Sequence, residues 1–71
     1  MRTAAEEKFI HEYTRQLLID WAAQSLVHSA FRIQEGQEEF RAHAIEKGWV
    51  SKEGTRVLAA GYTAAAGQLK R

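Results

Sequence analysis

The stretch HAIEKGWVSKEGTRVLAAGYTAAAG, His43 to Gly67, decides how the chain is read. Its first five residues are helix formers or neutral, Gly48 interrupts them, and an alanine-rich run comes after. Gly48 suits the position just past a helix end, where positive φ is needed, and Trp49 beyond it suits the apolar contact that accompanies such an end. Ser51 then reads as the N-cap of a further helix. The spacing predicts helix, tight turn, helix, with the second helix running from about Lys52 to Leu69. Gly54 near its start costs about 1 kcal/mol relative to Ala. Lys70 and Arg71 come last, where cations favour the helix dipole.

Upstream of Gly48 the pattern predicts a helix over about 37–47, with Phe40, Ala44 and His43 facing inward. The N-terminal part reads as one long helix over about 4–34. Thr3 and Glu6 form a capping box at its start, and neither Gly nor Pro occurs until Gly36. Its apolar side takes in Ile10, Tyr13, Leu17, Leu18, Trp21, Ala22 and Phe31. Lys8, Glu12, Gln16, Asp20 and Gln24 form a polar stripe at four-residue spacing, as helical periodicity requires. A bend near Ser25–His28 is the alternative to a continuous helix.

The class is therefore all-α, with one long N-terminal helix and two shorter ones in a single small domain. With 71 residues and no cysteine, no disulfide or thiolate metal site reinforces the core. A chain of this length buries only about 60% of its unfolded surface. A 31-residue helix would be about 46 Å long, against a radius of gyration of about 11 Å for a compact chain of this size. The two shorter helices laid end to end match it, giving an open hairpin-like layer. A second copy would complete that layer, so a four- or six-helix homodimer is expected.

On a helical wheel Val57, Gly61, Ala64 and Ala65 share one arc, and small residues four apart let another helix backbone approach closely, so close helix–helix packing is expected there.

Residues Phe40 to about Leu58 resemble, in spacing, the helix-turn-helix motifs of bacterial DNA-binding regulators. Ala44, Gly48 and apolar Val57 carry the likeness, and Gly54 departs from it, standing where those motifs place an apolar packing residue. The resemblance implies DNA contacts from Lys52, Thr55 and Arg56, with phosphate contacts from Lys70 and Arg71. Against it, Ala59, Thr63 and Ala66 are too short to read base edges. A net charge of +1 is also too balanced for affinity resting on phosphate neutralisation.

Catalytic chemistry is mostly excluded. GWVSKEG lacks the spacing of a phosphate-binding loop. No thiol exists, and Ser25, Ser29 and Ser51 have no nucleophile elbow around them. Glu6 and Glu7 point to different faces. Glu7/His11 and Glu39/His43 are i,i+4 pairs, read as solvated pairs rather than metal ligands. His28 and His43 lie equally far from the turn at Glu35–Gly36: either they meet at the hairpin interface and titrate together as a pH-sensitive pair, or one or both are half-exposed and independent. No cofactor or metal is expected. The longest uncharged run, Trp21 to Phe31, is about half a bilayer span, and no basic-then-apolar leader opens the chain. A cytoplasmic protein is expected, of a kind frequent in bacteria and phages. The favoured function is a non-catalytic regulator or adaptor binding another protein through a helical face, with Trp21, Phe31, Trp49 and Tyr62 as aromatic anchors. The alternative is the helix-turn-helix regulator.

Overall fold

The computed structural model describes residues 2–69. It holds three helices, α1 (Ala4–His28), α2 (Glu38–Glu46) and α3 (Ala59–Leu69), and no strand longer than a single bridge among the described residues. The all-α reading stands. Several boundaries differ from expectation, each for a local reason.

α1 begins as the sequence requires. The Thr3 hydroxyl accepts from the Glu6 amide, and the Glu6 carboxylate accepts from the Thr3 amide. It ends at His28 rather than at residue 34. Ser29 turns left-handed, at φ 66°, while its amide donates to the Ser25 carbonyl. A non-glycine residue in that region costs roughly 1–2 kcal/mol. The gain is Phe31, which the unwound chain swings onto Trp21: the rings stack at 4.7 Å and are 2% and 1% exposed. Full burial of a side chain such as Phe contributes about 1.5–3 kcal/mol, so the exit is favourable. Gly36 does not end α1; at φ 89° it lies in the turn leading into α2, where the Gln37 amide donates to the Gln34 carbonyl.

The end of α2 agrees with the expectation at Gly48. The Gly48 amide donates to the Ile45 carbonyl and the Trp49 amide to the Ala44 carbonyl, with Gly48 at φ 75°. This pair of hydrogen bonds is that of a Schellman end. Past Trp49 the expected helix is absent: Ser51 caps no helix, and residues 52–58 are not helical. Val50 and Val57 pair instead as an antiparallel bridge. The Leu58 amide donates to the Trp49 carbonyl, and the Ser51 amide to the Arg56 carbonyl. Gly54, at φ 73°, closes the turn by donating to the Ser51 carbonyl. The expected helical start is therefore a miniature hairpin, because two buried β-branched residues bracket a turn whose glycine takes the left-handed region. The hairpin tip is tied back by the Phe31 amide, which donates to the Thr55 carbonyl. Helix α3 starts only at Ala59. Lys70 and Arg71, expected to serve its C-terminal dipole, lie outside the described residues.

One stripe of α1 carries the core: Ile10, Thr14, Leu18, Trp21, Ala22 and Ser25 are buried on it. Thr14 is tolerated there because its hydroxyl donates to the Ile10 carbonyl one turn back. Tyr13, expected on the apolar side, lies at the edge of the packed surface and is 39% exposed. α2 and α3 both pack on α1 and scarcely touch one another. Both reach the level of His11, α2 through His43 and α3 through Gln68, so they lie side by side and not end to end as expected, and the molecule measures 36 × 28 × 18 Å. The thin dimension is about that of two stacked helices, given packing distances of 8–10 Å. The radius of gyration is 11.5 Å. α1, about 37 Å at 1.5 Å per residue, matches the long dimension because it stops at His28.

Candidate functional site

Three places collect chemistry-bearing or partner-type residues: an aromatic ledge on α1 and α2, a histidine pair beneath Trp49, and the hairpin tip.

The ledge is built by two helices. Phe9 and Tyr13, one turn apart on α1, meet Phe40 of α2. The Tyr13 and Phe40 rings lie 4.7 Å apart, Phe9 and Tyr13 5.6 Å, and Phe9 and Phe40 6.2 Å, the last edge to face. Such separations fall in the range of favourable aromatic pairing. Phe9 remains 57% exposed and Tyr13 39%, while Phe40 is half-buried. None of the described residues closes over them. Helical spacing of these rings is readable from the sequence, but hydrophobicity groups Tyr13 with the core and singles out nothing at Phe9.

The expected aromatic anchors divide. Trp21 and Phe31 are buried against each other in the core. Both are unavailable to a partner, which corrects their assignment as anchors. Trp49 and Tyr62 are half-buried against the same core. The Trp49 ring lies 5.4 Å from that of His11 and 5.9 Å from that of His43.

His43 does not meet His28. Its Nε2 lies 3.0 Å from Nδ1 of His11, with the rings nearly perpendicular. His28 is exposed at the end of α1, beside a groove of about 590 Å³ that it lines with Gln24, Ala30, Phe31 and Arg32. The mispairing results from α1 ending early. A helical continuation from residue 28 to 36 would advance the chain about 12 Å, whereas extended backbone advances up to about 3.3 Å per residue. The unwound connection carries α2 back along α1, to the level of His11.

At this distance the two ring nitrogens can share one hydrogen bond, the tautomer setting which of them donates. His43 is buried and His11 half-buried. Burial above all, then the neighbouring His11 and Lys47, lowers the His43 pKa from its ordinary 6.5, against weaker opposing pulls from Glu46 and Glu7. The folded state therefore binds fewer protons here than the unfolded one near that pH. Stability is expected to be level above about pH 7 and to decline as pH falls through 6.5. Thermal melts from mildly acidic to mildly alkaline pH check this: a His43→Gln variant should lose most of the slope, and a wild-type midpoint rising on acidification would reverse the sign. Beside the pair, a cleft of about 280 Å³ is lined by His11, Glu12, Arg15, Gln16 and Gln68. Among the described residues no three metal-ligating side chains gather.

Lys52, Thr55 and Arg56 sit on the hairpin, not on the leading turn of a helix. The helix-turn-helix resemblance fails at this point. That motif needs its second helix to come after a turn of three or four residues, and here α2 and α3 are separated by the whole of 47–58. The Thr55 carbonyl is also engaged by Phe31. No protein-family model matches the chain, and searches of curated proteins and of solved structures find no match. No helix is long and apolar enough to cross a membrane among the described residues.

Proposed function

We propose that this protein is a small non-catalytic regulator or adaptor that acts by binding protein through a helical face. The face is the outer side of α1, widened at its N-terminal end by Phe40. One observation carries the reading: two aromatic side chains of a rigid, capped helix stand more than a third exposed and already packed ring to ring. Aromatic side chains held in place lose little freedom on binding and are the usual anchors of protein interfaces.

The test is capture from lysate of the source cell on immobilised protein, with nuclease present, comparing wild type with Phe9→Ala/Tyr13→Ala. Truncating two anchors of this kind should weaken capture about 30-fold or more, from a cost of about 2 kcal/mol or above. Both residues are exposed, so the fold should persist, which the circular dichroism spectrum verifies. Undiminished capture by the double variant, or capture abolished by nuclease, would overturn the proposal.

A further inference from the structure

The outer face of α1 has an internal order that its exposure alone does not require. Phe9, Tyr13, Gln16, Asp20, Ala23 and Val27 succeed one another at intervals of four, three, four, three and four. That is the alternation of a coiled-coil seam. All six are exposed, and the seam lies opposite the stripe of Ile10, Thr14, Leu18, Trp21 and Ser25 that packs the core. Val27, at 75% exposed, ends it at the last turn of the helix.

The seam is complementary to itself when reversed. Turned about a two-fold axis at the level of Leu18, Phe9 falls opposite Val27, Tyr13 opposite Ala23, and Gln16 opposite Asp20. Each pair matches: large against medium, large against small, amide donor against carboxylate acceptor. A parallel pairing sets Phe9 on Phe9, Ala23 on Ala23 and Asp20 on Asp20, crowding one end and opposing like charges in the middle. Ile19 and Leu17, both half-buried, flank the seam near the axis and supply apolar edges there. The Asp20 carboxylate is already held by the Gln24 amide, 3.0 Å away, which steadies its rotamer for a partner.

A flat two-layer molecule with α1 on its outside is the shape that a second copy thickens.

We infer that the occupant of this face is a second copy of the chain, its α1 packed antiparallel on the first through Phe9, Tyr13, Gln16, Asp20, Ala23 and Val27. This rests on the reading of the face as a protein-binding surface and names its partner. The result is an isologous six-helix dimer in which the two α1 helices form the middle layers.

Sedimentation equilibrium at micromolar concentration tests the mass, expected at twice 8.1 kDa. Ala23→Glu should return the protein to monomer with its helix content unchanged, because position 23 is open to solvent within one chain and a glutamate there would be desolvated against Tyr13 of the other copy. Orientation is read by disulfide trapping, which the absence of native cysteine makes clean. Mixed Tyr13→Cys and Ala23→Cys proteins should crosslink to each other, and neither to itself. Self-crosslinking of Tyr13→Cys, a wild-type monomer at all concentrations, or a dimer indifferent to Ala23→Glu would each overturn the inference. A monomer that still captures a different protein through Phe9 and Tyr13 would overturn the second copy alone and leave the binding face standing. A monomer that captures nothing would remove both.

Discussion

Trp21→Ala is expected to leave the protein only marginally folded at room temperature. The indole is 1% exposed and stacked on Phe31, and Leu18, Ala22, Ala44, Val50, Val57 and Ala65 complete the cluster around it. Truncating a buried Trp costs about 3–5 kcal/mol in lost transfer energy and residual cavity. The folded state of a 71-residue chain with no crosslink holds only about 5 kcal/mol. The loss also compromises the bend at Ser29, since stacking on Trp21 is what offsets the strain of a left-handed serine. Urea titration followed by far-ultraviolet circular dichroism checks this. A midpoint within about 0.5 M of wild type, roughly 1 kcal/mol at a typical small-domain slope, would show that the stack does not hold the core. Trp21→Phe should retain most of the stability, because the site needs a flat apolar ring more than an indole nitrogen.

Gly61→Ala is expected to destabilise by a net of about 1 kcal/mol, opposite in sign to its effect on an isolated helix. By propensity alone alanine gains about 1 kcal/mol over glycine within a helix. In this fold a Cβ at position 61 would run into the Trp49 carbonyl oxygen, and would sit 2.7 Å from Cγ1 of Val57. The first obstacle is backbone fixed on two sides, since the Trp49 amide is bonded to the Ala44 carbonyl and its own carbonyl to the Leu58 amide. Neither side can yield without breaking the hairpin or the end of α2, and overpacking of this kind costs about 1–3 kcal/mol. Thermal unfolding decides between the two effects. A raised midpoint would mean that the hairpin gives way easily and that propensity governs. Gly67→Ala is the matched control: nothing lies within 4 Å of a Cβ there, so propensity should act unopposed.

The close-packing role of Gly61 and Ala65 is legible in the sequence because small residues at four-residue spacing mean the same thing whatever their neighbour. The neighbour is not legible. For Gly61 it is the carbonyl of Trp49 at the base of the hairpin, not another helix. The hairpin is hidden because Val50 and Val57 offer only two β-branched residues, and Gly54 between them reads equally as a tolerated helix defect. The capping box at Thr3 and the Schellman end at Gly48 are legible because each is a local code, complete within a few residues. The exit at Ser29 is not, since serine is a poor residue for positive φ and takes it here only to let Phe31 reach Trp21, a contact invisible to local reasoning.

The site divides on the same line. His43 reads correctly as inward, since it lies on the inner face of α2 beside Ala44, but its pairing with His28 does not hold, His11 standing there instead. Its partner is not readable, because the pairing depends on how far the nonhelical residues 29–37 travel. The outward position of Phe9 and Tyr13 has a signal, their continuity with Gln16 and Asp20 at seam spacing, but hydrophobicity alone groups Tyr13 with the core.

That α2 and α3 both rest on α1 and barely on each other has a consequence for how the protein can change over time. Replacements on the outer sides of α2 and α3 act at separate places, and their energies should add rather than interfere. Replacements beneath them do not have that independence, because Ala44 and Ala65 lie in one core cluster with Trp21 and Gly61 of α3 abuts the Trp49 carbonyl at the end of α2. Each arm can acquire a new outer surface without asking the other to change with it, whereas the buried positions of all three helices must change together.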